Sequence, residues 1–369
     1  MLLPDLPVEL LKSISENLDS ERSISAFSRA NRRLHNLLTG HLYRHNARWC
    51  GSSALFWAAR QGREETVRKA LRWGADVNVK DGEYGSALQA ASAEGHEKIV
   101  QLLIENNADI NAEDGYYGSA LQAASERGHE KIVQQLIENN ADVNTQNGVF
   151  RSSALQAASA EGHEKIVQLL LKNNADVNVE GGEYGSALQA ASARGYEKIV
   201  QLLLENNADI DAEDGEYGSA LQAASARGHE KIVRLLLRNN ADVNTQGGHY
   251  GSALQAGSAE GYEKIVQLLL ENNADVNVEY GEYGGEYGSA LQAASAGGHE
   301  KVVQLLIDNN ADVNVEGGEY GSALQAASAE GHEKIVQLLI ENNADINAEG
   351  GEYGSALQMA SAEGYEKIV

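Results

Sequence analysis

The chain has 369 residues, 42% of them hydrophobic, with 54 Asp/Glu against 29 Lys/Arg and a formal net charge of −25. That apolar content belongs to a folded chain rather than a disordered one, and the acidic balance argues against nucleic acid, whose phosphates call for clustered Lys and Arg. A single cysteine, Cys50, excludes an internal disulfide framework and a cysteine metal cluster and fits a reducing intracellular compartment.

The first fifty residues stand apart. They hold seven Lys/Arg against five Asp/Glu, whereas the remainder holds 22 against 49, a net of −27. Both prolines (Pro4 and Pro7) lie here, and all three tryptophans (Trp49, Trp57 and Trp73) come before residue 75. Pro7 opens a predicted helix in which Leu10, Leu11, Ile14 and Leu18 recur at helical spacing. A second helix is predicted from Ser20 or Ser23 with Ile24, Phe27 and Ala30, and a third from Arg32 to Leu42 with Leu34, Leu37 and Leu38. The N-terminus has no basic leader and no small-residue cleavage site, so secretion is not expected.

From Ser53 onward one unit is restated ten times. Its Ser-Ala-Leu element falls at Ser53, Ser86, Ser119, Ser153, Ser186, Ser219, Ser252, Ser289, Ser322 and Ser355, at intervals of 33, 33, 34, 33, 33, 33, 37, 33 and 33. A period that regular means stacked units. In the copy from Ser86 to Asn111, "SALQAAS" predicts a short helix capped by Ser86 with Leu88, Ala90 and Ala91 inward. Gly95 breaks it, His96 follows in the turn, and Ile99, Val100, Leu102, Leu103 and Ile104 pattern a second helix. Asn107 falls where that helix must end left-handed, the phase at which the first copy has Gly74. The Gly-rich "DVNVEGGEYG" then predicts a hairpin-like finger. Apolar runs such as Ile166 to Leu171 fall far short of the roughly 20 residues of a membrane span. The chain ends at Val369 inside the tenth unit's second helix, which reads as a truncated product or a frayed last unit.

Two helices and a finger at this period resemble the ankyrin repeat, and the consensus of the copies, "GHEKIVQLLIENNADVN", is similar to that family's G-H-x-x-[IV]-V-x-L-L-L-x-x-G-A-D-V-N. The family's T-P-L-H stands here as S-A-L-Q, with Ser86, Ala87 and Gln89 in the altered places, and the "GGEYGSALQAAS" variant resembles a style common in fungal ankyrin proteins. The front segment resembles the F-box through Leu6, Pro7, Glu9, Leu10, Leu11, Ile14, Leu18, Ile24, Phe27, Ser28, Arg29, Arg32 and Arg33, with Leu34 where many F-boxes carry Trp. These resemblances imply an all-α protein with an F-box-like three-helix domain at 1–50 and an ankyrin-repeat solenoid with β-hairpin-like fingers at 51–369. They imply binding rather than catalysis and no cofactor. A Skp-family adaptor of a cullin–RING ubiquitin ligase would dock on Leu6, Pro7, Leu10, Leu11, Ile14 and Leu18. A protein target, a basic one being favoured by the acidic array, would occupy the array of a monomeric, cytoplasmic or nuclear receptor. The alternative is a scaffold without a ubiquitin role, its N-terminal helices acting as a cap.

Within the array, Tyr84, Tyr117, Tyr184, Tyr217, Tyr250, Tyr287, Tyr320 and Tyr353 recur just before the Ser-Ala-Leu element, with Phe150 once in their place. They are candidates for a partner-binding wall or for spacers packed on the next finger. Arg127, Arg194 and Arg227 interrupt the acidic surface at the tips of the first helices and are the candidates for selectivity. The longer finger from Tyr280 to Gly288 reads as a specificity loop or a slippage product. His96, His129, His163, His229, His299 and His332 sit one repeat apart, too far to share a metal ion, and Tyr196, Tyr262 and Tyr365 occupy the same phase, so no metal site is expected. No phosphate loop and no Ser/His/Asp arrangement stands outside the repeated phases.

Overall fold

The computed structural model describes residues 7–16, 29, 32–81, 84–149, 152–278, 288–351 and 354–369. Two compact units divide the chain, the first comprising Met1–Ala158 with Lys172–Ala175 and the second Ser159–Leu171 with Asp176–Val369. The fold is the all-α repeat solenoid that the resemblance implied.

In the first unit, α1 (Val8–Glu16) and α2 (Arg32–Trp49) precede the repeats. The first repeat is α3 (Ser53–Arg60) and α4 (Glu64–Arg72), the second α5 (Ala87–Ala93) and α6 (Glu97–Glu105), and the third α7 (Ala120–Glu126) and α8 (Glu130–Glu138). The fourth, α9 (Ala154–Ala160) and α10 (Glu164–Lys172), is shared between the units. The second unit continues with α11 (Ala187–Arg194) and α12 (Glu197–Glu205), α13 (Ala220–Ala226) and α14 (Glu230–Arg238), and α15 (Ala253–Ala259) and α16 (Glu263–Glu271). It closes with α17 (Ala290–Ala296) and α18 (Glu300–Asp308), α19 (Ala323–Ala329) and α20 (Glu333–Glu341), and α21 (Ala356–Glu363).

The first helix of an internal repeat is buried nearly all round, whereas those of the first and tenth repeats expose Trp57 and Leu357. In α5 every residue from Ala87 to Ala93 is buried, Gln89 and Ser92 included. Besides Gln89 only Ala, Ser and one Leu occupy it, because neighbouring first helices pack directly on one another and leave little room for larger side chains. The second helices bury one face, as Ile132, Val133 and Leu136 do in α8 while Glu130 and Lys131 meet water. Each such fully buried side chain contributes roughly 1.5–3 kcal/mol.

Caps and turns follow the sequence. Ser86 Oγ accepts from the Gln89 amide N–H, and the Gln89 carboxamide oxygen accepts from the Ser86 amide in return, closing a capping box. Asn107, Asn140, Asn174, Asn207, Asn240, Asn273, Asn310 and Asn343 all take left-handed conformations, with φ between 61° and 67°. Gly74 occupies the same phase in the first repeat with φ 88°. The fingers are the expected hairpins, a short ladder of β1 (Lys80–Asp81) on β2 (Gly85–Ser86) and single bridges such as Asp114 to Gly118 and Gly247 to Gly251.

Stacking is written into side chains that reach one repeat along. Gln89 Nε2 donates to the carbonyls of Asp114 and Gly118 in the next finger (2.8 and 2.9 Å), and Gln222 does the same to Gly247 and Gly251 (2.9 Å each). His129 Nε2 lies 3.0 Å from the carbonyl of Ala93, and His229 Nε2 lies 3.0 Å from that of Ala193. The His129 ring fills the space over Gly95, where a Cβ would come within 2.6 Å of it, so that glycine answers both a φ of 78° and a neighbour's side chain. The recurrent histidines are thus stacking groups. A row of Asn side chains completes the set: Asn111 Oδ1 accepts from the Asp142 amide at 2.8 Å and its Nδ2 donates to the Asn140 carbonyl at 3.3 Å. Lys–Glu pairs such as Lys334–Glu300 (2.9 Å) cross between second helices in full exposure and add little.

The front segment departs from expectation in one element. The third predicted helix, Arg32 to Leu42, runs on to Trp49 as α2. It passes through Gly40 because that residue's missing side chain is where Trp73 seats; a Cβ there would lie 2.5 Å from the indole. Arg44 stands 4.9 Å above the same ring. Asn46 ties the end of α2 to α3, donating to Ser53 Oγ (2.9 Å) and accepting from the Ala54 amide (3.0 Å). The second predicted helix lies outside the described residues.

Candidate functional site

The two sets of array candidates, the finger tyrosines and the helix-tip arginines, meet. In the third repeat Arg127, at the end of α7, donates to the Tyr117 hydroxyl from Nη2 (2.6 Å) and Nε (3.1 Å), with its guanidinium carbon 5.7 Å from the ring centre. In the sixth repeat Arg227 donates to the Tyr217 hydroxyl and stands 5.3 Å over its ring. Arg194 lies 5.6 Å over Tyr184 in the fifth. Where the tip carries Glu instead, the polarity reverses: Tyr250 donates to Glu260 and Tyr320 to Glu330, each at 2.9 Å. Finger and helix tip are ten residues apart in sequence, and one phenol serves either charge because a hydroxyl both donates and accepts.

Electrostatics follow from these contacts. The hydrogen bond to Tyr117 holds the Arg127 guanidinium still more firmly in its charged form, with Glu126 and Glu94 adding to the effect. Burial, then the Glu260 hydrogen bond, pushes the Tyr250 phenol well above the usual range. Tyr184 is pushed up chiefly by burial.

The rings form a ladder. Tyr84 lies 6.2 Å from Tyr117 in the first unit, and Tyr184 stacks on Tyr217 at 6.5 Å with the planes 8° apart in the second. Tyr117 packs with Ala93 and Ala123, and Tyr217 with Ala193, Ala223, Ala226 and Ala256. Both are only 8% exposed, which commits most of each ring to packing between repeats, while Tyr84, Tyr184, Tyr250 and Tyr320 are half-buried. Phe150, Tyr287 and Tyr353 lie outside the described residues, as does most of the longer finger from Tyr280.

One finger differs. Tyr116, not among the sequence candidates, is 43% exposed and sits edge-on to Tyr117 with ring centres 5.1 Å apart. With Tyr84, Tyr117, Glu126 and Arg127 it lines a cleft of about 240 Å³. Its signal in the sequence was a departure: the same finger position is Glu in most copies, Glu216 for example.

In the front segment Leu11 is fully buried against Leu34 and Leu38. Leu10 is 52% exposed, Ile14 36%, and Pro7 is exposed. Of the adaptor-docking candidates, then, Leu11 holds α1 in place while Pro7, Leu10 and Ile14 present surface; Leu6 and Leu18 lie outside the described residues. Among the described residues no group of three or more His, Cys, Asp or Glu is placed to hold a metal ion, and no helix is long and apolar enough to cross a membrane.

A comparison with curated proteins finds no match. The family model for ankyrin repeats (three copies) matches residues 24–114, 120–214, 188–280 and 284–350, its first match beginning inside the front segment. With the paired helices, the left-handed Asn turns and the bridged fingers, that coverage shows that the chain belongs to the ankyrin-repeat family and is a protein–protein interaction module.

Proposed function

We propose that the chain is a substrate receptor of a cullin–RING ubiquitin ligase. Residues 1–50 dock a Skp-family adaptor, and the repeat array, with its tyrosine-lined fingers and charged helix tips, holds the protein to be modified. The observation that carries this reading is α1. Its inner residue Leu11 is locked against Leu34 and Leu38, and that leaves Leu10 and Ile14, one turn apart, exposed beside Pro7. An apolar pair at this spacing on a fixed helix is the kind of surface a partner helix covers. The net charge of the array favours a basic target by steering.

A scaffold whose front helices serve as a cap is favoured by a different observation, the seating of Trp73 on Gly40 and the Asn46 contacts that continue α2 into the first repeat. Capture of the native Skp-family adaptor by the full chain separates the two. The wild type should retain the adaptor, and Leu10→Asp/Ile14→Asp, which spares the buried Leu11, should release it with an unchanged circular dichroism spectrum. A wild-type chain that captures no adaptor defeats the ligase reading and leaves the scaffold.

A further inference from the structure

The third repeat departs from the common unit at two positions that lie ten residues apart in sequence and face one cleft. Tyr116 replaces the finger glutamate found as Glu183, Glu216 and Glu319, and Glu126 replaces the alanine found as Ala93, Ala193 and Ala226. Both line the cleft with Tyr84, Tyr117 and Arg127. In a chain copied this closely, two departures in one repeat that meet at one cavity mark a place where packing alone does not explain the residues.

The chemistry of the lining selects a cation. Three phenol rings meet there, with Tyr117 6.2 Å from Tyr84 and 5.1 Å from Tyr116. Ring faces attract cations, and the planar guanidinium stacks on them better than an ammonium does. The molecule makes the point with its own side chains: Arg60 stands 4.2 Å over Tyr84 and donates to its hydroxyl at 2.8 Å, and Arg44 lies over Trp73. Arg127 does not turn the cleft into an anion site. Two of its nitrogens are given to the Tyr117 hydroxyl and two carboxylates, Glu126 and Glu94, act on it, while Arg60 is held on Tyr84. The array around it has a net of −27.

We propose that the cleft formed by Tyr84, Tyr116, Tyr117 and Glu126 binds an arginine side chain on a basic segment of the target protein. This rests on the reading of the array as the target-binding part, and it names the chemistry that one of its sites takes. Tyr116 supplies the exposed ring for stacking, and Glu126 the carboxylate for a charge-assisted hydrogen bond.

The test restores the common repeat. Binding of labelled Gly/Ser peptides carrying several arginines, lysines or glutamines is measured by anisotropy on the full chain at physiological salt, for the wild type and for Tyr116→Glu and Glu126→Ala. The other repeats carry Glu and Ala at these phases, so both variants keep the fold. The arginine peptide should bind more tightly than the lysine peptide, and Tyr116→Glu should weaken it about ten-fold, as loss of a stacking anchor does. Diffuse attraction to an acidic surface gives the opposite sign, because Tyr116→Glu adds a negative charge. Tightened or unchanged binding therefore overturns the site while leaving the array as a binding surface. Equal affinity for the lysine and arginine peptides, or no binding of either, overturns it as well. The adaptor capture, which depends on α1, reads the ligase assignment independently.

Discussion

The third and sixth repeats are built from the same parts, yet only the third carries the tyrosine-lined cleft. In each a serine caps the first helix, Ser119 or Ser219, and a glutamine reaches the next finger, Gln122 or Gln222. An arginine at the helix tip donates to a finger tyrosine in both. Two differences matter, Tyr116 against Glu216 and Glu126 against Ala226. The finger position is on the surface, and the helix position lies at the edge of the core, where Ala226 is buried against Tyr217 and Glu126 is partly exposed. Structure in this molecule lives in what the copies share, and any selectivity lives in what they do not.

The first way to break that comparison is to strike the shared part. Leu136 in α8 and Leu236 in α14 are both fully buried. Leu136→Ala and Leu236→Ala should each cost about 2–5 kcal/mol, the usual range for emptying such a site. Urea denaturation should show similar losses for the two, and a large difference would mean that the repeats are not energetically equivalent. A smaller effect sharpens the comparison instead. Placing Glu216→Tyr together with Ala226→Glu in the sixth repeat should add a second arginine-peptide site with about ten-fold higher affinity than that repeat's background, on the scale of one aromatic anchor. Titration would show it as raised stoichiometry. The smallest effect concerns a flaw that both repeats share. The Ser125 and Ser225 hydroxyls are buried with no hydrogen-bond partner. Ser125→Ala and Ser225→Ala should each stabilise by about 1 kcal/mol, since an unsatisfied hydroxyl carries its desolvation penalty. Thermal melts should rise for both variants.

Much of the fold was legible because the repeat prints its own local rules many times. The serine cap, the Gly95 break and the left-handed Asn107 each answer a constraint within a few residues, and the first repeat's Gly74 served as an internal control. The site was less legible. Arg127 and Tyr117 were named separately, as a helix tip and as a finger residue, and their pairing across ten residues required the turn that brings finger and tip together. Tyr116 was not among the candidates: its departure from the Glu of most copies was there to be read, but spacing could not say which way it faced. Leu11 looked equivalent to Leu10 on the helical pattern, and only the partners Leu34 and Leu38 set one inward and the other outward.

Sequence alone determined the period, the helix pairs and the repeat family of this interaction module, because caps, breakers and apolar stripes act over single turns of backbone. Tertiary structure decided what joins those turns. It turned Gln89 and His129 into ties to neighbouring repeats, carried α2 past Gly40 so that Trp73 could seat, and brought Tyr116 and Glu126 to one cleft. Each of these depends on distances between residues about ten to forty positions apart, and those distances exist only once the repeats have stacked.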